Sequence, residues 1–203
     1  MEQVISIQAL ADLKRLPATK LRGFGLMQNE RGVVFTYQLP DGRPARPRLR
    51  SALRGANGTS WIESDELPIT VYTRPSHQRP VNAAELIVVE GESDCWIAWL
   101  HDYNAIGIPG SDSVAALSRA HVEGSEVVFI QRERVEGPNG TYPFGVDQFV
   151  SDVSDRFSEL GFDGDIRILE MPEGFQDLGD LYVDDPSLFP TRFRKALDAA
   201  RMP

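Results

Sequence analysis

The apolar positions in the second half of the chain follow the pattern of a parallel α/β sheet. Four short runs that are almost wholly apolar occur at residues 86–90, 105–109, 126–131 and 166–169. Such runs are typical of strands buried on both faces. Segments suited to helices follow them at 93–102, at 113–121, at the periodic positions from Val146 to Leu160, and at 191–201. Four strand–helix units in succession predict a four-stranded parallel sheet covered on both faces, with its ligand site at the carboxyl ends of the strands.

The first half of the chain has a different pattern of apolar and polar residues. Ser6 is placed to cap a helix that carries Leu10, Leu13 and Leu16, and Pro17 suits the start of a second helix. Residues 32–39 and 44–53 predict a hairpin around the turn Pro-Asp-Gly at 40–42. Two prolines in the returning strand, Pro44 and Pro47, predict that this strand lies at a sheet edge.

The hairpin also suggests a basic surface. Alternation along the returning strand predicts that Arg46, Arg48 and Arg50 share one face. Beyond it, residues 54–83 are rich in Gly, Ser and Pro and predict a loop-rich junction. The chain is therefore predicted to consist of a small basic α+β segment at 1–82 and an α/β domain at 83–203.

Charge divides along the same line. Residues 1–80 carry 12 Lys and Arg against 7 Asp and Glu, whereas residues 81–203 carry 9 against 23. This asymmetry suggests one surface for polyanions and another for cations, although an acidic surface also favours solubility alone. There is no apolar run long enough for a membrane span, no signal-peptide pattern and only one cysteine, Cys95. These features favour a cytoplasmic protein without disulfides, and no membrane partner is expected.

Acidic residues follow three of the four predicted strands. Glu90 closes the first strand, and Glu92 and Asp94 fall in the first turn of the next helix, where a capping role is the simpler interpretation for Glu92. Glu133 and Glu136 follow the third strand, and a further pair follows the fourth, namely Asp177 and Asp180. Since carboxylate oxygens are the ligands that Mg²⁺ and Mn²⁺ prefer, three acidic loops at one sheet end predict a metal site.

The run Val-Val-Glu-Gly-Glu-Ser-Asp at 88–94, followed by Ile-Gly-Ile-Pro-Gly at 106–110, resembles the first half of a TOPRIM domain. That Rossmann-like module occurs in bacterial-type DNA primases, topoisomerases of types IA and II, and some nucleases. Met-Pro at 171–172 and Gln-Asp-Leu-Gly-Asp-Leu at 176–181 resemble a motif of primases from phages, plasmids and integrated elements. The resemblance covers about residues 83–185.

The resemblance implies roles for the acids. Glu90 matches the invariant TOPRIM glutamate, a catalytic base or metal ligand, and Asp94 matches the second acid. Asp177 and Asp180 match the third acidic motif. The middle motif is normally Asp-x-Asp, and here Glu133 and Glu136 stand three positions apart in its place. By the same resemblance these residues would hold Mg²⁺ or Mn²⁺.

The front segment resembles the region that precedes TOPRIM in these primases, which implies that Arg46, Arg48 and Arg50 face nucleic-acid phosphates. A charged, solvated edge strand is the alternative interpretation. The leading hypothesis is an Mg²⁺-dependent primase of a phage or mobile element that joins ribonucleoside triphosphates on single-stranded DNA, with a replicative helicase as a further partner. The alternatives are a TOPRIM nuclease and a non-catalytic nucleic-acid-binding replication module.

Overall fold

The computed structural model of the protein describes residues 4–53, 58–75, 84–133 and 144–202. Two sheets organise these residues. The first sheet is antiparallel and has the strand order β1-β2-β3-β4. Its strands are β1 (Leu26–Asn29), β2 (Gly32–Gln38), β3 (Pro44–Arg50) and β4 (Thr59–Trp61), and they are preceded by α1 (Ile7–Lys14) and α2 (Ala18–Gly23).

The second sheet has five strands in the order β5-β7-β6-β8-β9. Its strands are β5 (Tyr72–Thr73), β6 (Glu85–Glu90), β7 (Ala105–Ile108), β8 (Val127–Arg132) and β9 (Asp165–Glu170). The strands β6 to β9 pair in parallel, as the apolar runs predict, whereas β5 pairs antiparallel with β7. The predicted four-stranded sheet is thus extended by a short antiparallel edge strand that comes from the front half of the chain.

Helices cover both faces of this second sheet. They are α3 (Ser93–Leu100), a 3₁₀ helix (Ser111–Ala116), α4 (Arg119–Val122), α5 (Phe144–Glu159), α6 (Leu178–Asp184) and α7 (Phe189–Ala199). One face packs its alternate side chains, such as Ile87 and Val89, in a core that also contains α3, α6, α7 and the antiparallel sheet. The other face, with Leu86 and Val88, packs against α5 and the 3₁₀ helix. The first core therefore continues from one sheet into the other.

Local signals explain the first helices. The Ser6 hydroxyl oxygen accepts a hydrogen bond from the Ala9 amide at 3.0 Å and caps α1, as predicted. Pro17 precedes α2, also as predicted. The predicted division of the chain at residues 82 and 83 falls in 76–83, which lie outside the described residues, so the position of the boundary stays a prediction.

The prediction that the arginine strand lies at an edge is wrong, because β3 pairs with β2 on one side and β4 on the other. The two prolines are tolerated there for local reasons. Pro44 is the first residue of the strand, and Pro47 lies where the register against β2 shifts, between the pairs Tyr37–Ala45 and Phe35–Arg48. A β-bulge leaves one residue without a regular ladder partner, so the missing N–H of Pro47 costs little.

The predicted helix at 113–121 is also corrected. The backbone leaves the helical region at Leu117 (φ −66°, ψ 128°) and Ser118 (φ −128°, ψ 163°), which divides the segment into the 3₁₀ helix and α4. Ser118 and His121 then form a reciprocal cap on α4. The helix α6 and the strands β1 and β4 are absent from the sequence expectations. Among the helices of the described residues, none combines the length and the apolar character that crossing a bilayer requires.

Gly107 in β7 gives a test of how tightly the strand-to-helix turn after β6 is packed. A Cβ atom on Gly107 would overlap the carbonyl oxygen of Gly91 and approach Cys95 Sγ to 3.0 Å. We expect Gly107→Ala to lower the free energy of unfolding by about 3 kcal/mol, measured by urea denaturation, because neither backbone can yield. Gly124→Ala is the control, since Gly124 has φ +83° but no atom within 4 Å of the added methyl group. A loss of about 1 kcal/mol in both variants would mean that the turn is not closely packed.

Candidate functional site

Acidic side chains gather at the carboxyl edge of the parallel sheet. Glu90 is the last residue of β6, Asp94 lies in the first turn of α3, Glu133 follows β8 directly, and Asp177 is the N-cap residue of α6 after β9. A Cβ atom placed on Gly179 would lie 2.9 Å from Asp177 Oδ1 and 3.4 Å from Asp94 Oδ1. The structure therefore brings together acids that are up to 87 positions apart in the sequence.

Asp94 is the most deeply buried of these acids, with 2% of its surface exposed. Its Oδ2 accepts a hydrogen bond from Gln131 Nε2 at 2.9 Å, and its Oδ1 has no hydrogen-bond partner among the described residues. Burial, followed by repulsion from Asp177, raises the pKa of the Asp94 carboxyl far above its usual range. A buried carboxylate with one unsatisfied oxygen is costly and is suited to receiving a cation or a donor.

Glu133 and Glu90 share this electrostatic environment. Burial, followed by the charges of Glu90 and Asp177, raises the pKa of Glu133 to about 7. Glu90 is exposed at the strand end, yet partial desolvation by the surrounding protein raises its pKa as well. These carboxyl groups therefore hold protons more tightly than isolated carboxyls do, and a bound cation would displace those protons.

The third acidic pair is held by its own helix. Asp177 Oδ1 accepts a hydrogen bond from the Asp180 amide at 2.7 Å, and Asp180 Oδ2 accepts a longer one from the Gln176 amide at 3.4 Å. Burial raises the pKa of Asp177 although this capping bond lowers it. The other residue of the predicted middle pair, Glu136, lies outside the described residues. In the described ranges, no three acidic, His or Cys side chains already stand close enough together to hold a metal ion.

Two contributors to this centre were missed from the sequence. Lys14, in the last turn of α1, has its Nζ 3.1 Å from the position of a Gly179 Cβ, and its charge lowers the pKa of both Asp94 and Asp177. No sequence signal distinguishes it from a solvated helix-end lysine. Gln131 was more accessible to prediction, since it is a polar residue at the end of an otherwise apolar strand.

Glu92 does not cap α3, contrary to the simpler interpretation of the sequence, because its side chain makes no capping hydrogen bond. Its carboxylate is 6% exposed and faces the antiparallel sheet. Oε1 accepts a hydrogen bond from Arg48 Nη1 at 2.7 Å and another from the Tyr37 hydroxyl at 2.6 Å. We call these three side chains the latch, since they connect β2 and β3 of one sheet to the turn after β6 of the other.

Aromatic rings surround the latch. The Arg48 guanidinium lies over the Trp61 ring, 5.1 Å from its centroid, and Trp61 also packs against Tyr37. Tyr37 in turn contacts Tyr72, whose hydroxyl accepts a hydrogen bond from Trp96 Nε1 at 3.0 Å. Trp61 thus packs at the junction between the two halves of the chain. The Arg48 and Glu92 side chains are only 16% and 7% exposed, and low exposure strengthens an ion pair.

The bulge in β3 also separates the three arginines, so the prediction that they share one face is wrong. Arg48 and Arg50 pair with Phe35 and Val33 on the inner face, whereas Arg46 falls within the bulge. Arg46 donates to the carbonyl oxygens of residues 64 and 67, and Arg50 donates to those of residues 52 and 53. Each guanidinium thus has contacts within the chain, and binding of nucleic-acid phosphates by these arginines stays a prediction.

Comparisons with known proteins give fold-level matches alone. No family model matches the sequence, and no curated protein matches it. The structure of the DnaG primase catalytic domain bound to ssDNA is similar with a TM-score of 0.61 and 17% identity, over 97% of this chain and 59% of that one. The RNA polymerase domain of Mycobacterium tuberculosis primase DnaG is similar with a TM-score of 0.60 and 13% identity, over 93% of this chain and 75% of that one. The Aquifex aeolicus primase (zinc binding and RNA polymerase domains) is similar with a TM-score of 0.59 and 14% identity, over 98% of this chain and 51% of that one.

These matches define the class of fold. The chain has a mixed α/β fold that matches primase catalytic cores. It spans 60% of the E. coli primase catalytic core and 51% of the Aquifex aeolicus chain. At identities of 13–17% the similarity establishes the fold and leaves the activity to be argued from the site.

The latch predicts a large and specific loss of stability. We expect Arg48→Met to lower the free energy of unfolding by about 3–5 kcal/mol, because Glu92 is left buried without its cation. The double variant Arg48→Met/Glu92→Leu should recover much of that loss. Arg43→Met is the control: its pair with Asp41 is 74% and 52% exposed, and we expect no measurable change in the free energy of unfolding. If Arg48→Met behaves like the control in urea denaturation, the latch contributes nothing to stability.

Glu133 predicts a pH dependence of stability. Since burial raises its pKa in the folded state to about 7, its contribution is fully present below the pKa of the unfolded chain and is lost as pH rises through about 7. We expect the free energy of unfolding to fall between about pH 5 and pH 8, and Glu133→Gln to make this fall shallower. Glu123→Gln is the control, since Glu123 is exposed and precedes β8, at the opposite end of the strand from Glu133. This variant should leave the pH profile of stability unchanged. Parallel profiles for wild type and Glu133→Gln would contradict the assignment.

Proposed function

We propose that the chain is a TOPRIM-type primase module of a phage or mobile element, which joins ribonucleoside triphosphates into a primer on single-stranded DNA. The observation that carries the proposal is the gathering of Glu90, Asp94, Glu133 and Asp177 at the carboxyl edge of a sheet in a primase-core fold. Open α/β sheets place their ligands at that edge. The proposal includes a cytoplasmic location and a replicative helicase as partner.

The donor set fits a hard divalent cation, because every candidate ligand is an oxygen and Asp94 Oδ1 lacks a partner among the described residues. Glu90, Glu133 and Asp177 would hold Mg²⁺ or Mn²⁺, with Asp94 behind them and Asp180 at the margin. Side-chain rotation is needed to close the set, and the exposed Glu90 and the partly buried Glu133 have room for it. When bound, the ion would neutralise charge on a triphosphate.

The chain's own residues then have distinct parts. Glu90, exposed and of raised pKa, would accept the proton of a primer 3′-hydroxyl as that oxygen bonds to the α-phosphorus of the triphosphate and pyrophosphate leaves. A base works best when its pKa is moved towards the working pH, which this environment does. Lys14 offsets part of the negative charge beside Asp94 and Asp177, and Gln131 fixes the orientation of the Asp94 carboxyl. The latch holds the turn that directly follows Glu90.

The nucleic-acid surface is proposed for the basic front segment. One of the matched structures is of a primase catalytic domain bound to ssDNA, and the front of this chain carries an excess of positive charge. Because Arg46, Arg48 and Arg50 have internal contacts, the exposed Lys20, Arg22 and Arg31 are better candidates for phosphate contacts.

A second candidate function is a non-catalytic nucleic-acid-binding module of the replication machinery. It is favoured by one observation, namely that no three acidic, His or Cys side chains in the described part of the chain are already placed to hold a metal. The module would bind single-stranded DNA through the front segment and use the acidic centre only for stability or assembly.

Primer synthesis on single-stranded DNA with labelled ribonucleotides tests the proposal. We expect Mn²⁺- or Mg²⁺-dependent synthesis by the wild type and a loss of at least about a hundredfold in Glu90→Gln, because the substitution removes both a base and a ligand. The matched control is Glu173→Gln, which changes an exposed glutamate before α6 and should retain full activity.

Other outcomes decide between the alternatives. DNA binding without synthesis, in a preparation that also fails to bind Mn²⁺ by water-proton relaxation, would establish the non-catalytic module. Metal-dependent cleavage of the template in the same assay, lost in Glu90→Gln, would establish a nuclease instead.

A further inference from the structure

A cavity of about 530 Å³ lies around the outer edge of β9, between that strand, α7 and the segment after α7. It is separate from the acidic centre. Successive residues of a strand point to opposite faces of the sheet, and Gln131 faces Asp94 while the next residue, Arg132, faces α5 and forms an ion pair with Asp147. Arg132 lines the cavity, whereas the acids of the candidate site do not.

Four cationic side chains line the cavity: Arg132, Arg192, Lys195 and Arg201. This is an unusual concentration in a half of the chain where acids outnumber bases by 23 to 9. The carboxylate in the lining is Glu170, which accepts a hydrogen bond from Arg132 at 3.1 Å. Arg192 is paired with Asp184 at 2.6 Å. Lys195 and Arg201 are exposed and have no carboxylate partner among the residues that the structure describes.

The rest of the lining is apolar. The apolar lining consists of Ile168 of β9, Met171 directly after that strand, Ala196 and Ala199 of α7, and Met202, and it suits a flat, uncharged ring. The backbone fixes one wall, since Ile168 and Arg201 exchange two hydrogen bonds as an antiparallel bridge. A cavity of this volume, with an apolar floor and several convergent cations, has the features of a small-ligand site.

We infer that this cavity binds a nucleoside triphosphate, with its phosphates on Arg132, Arg192, Lys195 and Arg201 and its base against Met171 and Ala196. Charge complementarity favours a polyanion, and the apolar floor favours a base over bare phosphate. A triphosphate competes well for Arg132 and Arg192, because their present pairs involve partly exposed carboxylates and such pairs are weak. The inference does not rest on the proposed function, since binding is measured without metal and without synthesis.

Binding of ATP to the full chain in EDTA, followed by calorimetry, tests the inference. We expect one saturable site, weakened by added salt. Lys195→Ala/Arg201→Ala should weaken binding at least tenfold, through the loss of two phosphate contacts on exposed side chains that the fold does not need. Ala199→Trp should block the cavity by filling it, again at an exposed position. The matched control is Arg194→Ala on the same helix, whose guanidinium interacts instead with Glu85 and Tyr103 and should leave the affinity unchanged.

Two further ligands distinguish the contribution of the phosphates to the affinity from that of the base. Inorganic triphosphate and adenosine should each bind at least tenfold more weakly than ATP. Inorganic triphosphate that binds as tightly as ATP would overturn the nucleotide assignment and leave a simple anion site. A single-stranded oligonucleotide that binds the cavity more tightly than ATP and displaces it would also overturn the nucleotide assignment. The cavity would then be a groove that binds a nucleic-acid strand. Equal losses in the Arg194→Ala control, or no binding up to about 1 mM ATP, would exclude the site.

Discussion

The buried ion pair between Arg48 and Glu92 is the interaction on which the arrangement of the two sheets depends. Removing two charges from water costs several kcal/mol for each ion, and only a short, well-satisfied contact offsets that cost. Here Glu92 Oε1 receives both the Arg48 guanidinium and the Tyr37 hydroxyl, and Trp61 covers the cation. The geometry of the contact fixes how β3 meets the turn after β6. Since Glu90 lies two residues before Glu92, the same contact fixes where the first acid of the candidate site stands.

Two carboxylates only two residues apart therefore have opposite environments. Glu92 is buried with strong donors on one oxygen, whereas Asp94 is buried with a single hydrogen bond from Gln131 and an unpartnered Oδ1 within the described chain. A buried carboxylate with an unpartnered oxygen, such as Asp94, lowers the stability of the fold locally. Such local costs are typical of sites that receive a ligand. The cavity beyond β9, in contrast, is lined by cationic side chains. One end of the sheet thus presents a concentration of negative charge on one side of β8 and of positive charge around β9.

The sequence predicted the parts of this structure that depend on local rules. The apolar runs located the parallel strands, Ser6 and Pro17 located two helix starts, and the acids predicted near strand ends, Glu90 and Asp177 among them, lie at one edge of the sheet. It failed where distant residues decide the outcome. Alternation in β3 gave no warning of the bulge that separates Arg46 from Arg48, because the bulge is set by pairing with β2. The role of Glu92 depends on a partner 44 positions away, and a local capping rule could not reveal it.

The latch also limits how such a chain can be rearranged. Arg48 and Glu92 lie on opposite sides of the junction at residues 54–83, where changes of length would ordinarily be tolerated. Part of the junction is itself fixed, because β4 and β5 lie within it and carry Trp61 and Tyr72, and the two halves are not interchangeable parts. A chimera that joined the front of one relative to the back of another would inherit a buried charge without its counter-ion, unless both parents carried the pair. Covariation of these two positions is therefore the signature to look for when sequences related to this chain are aligned.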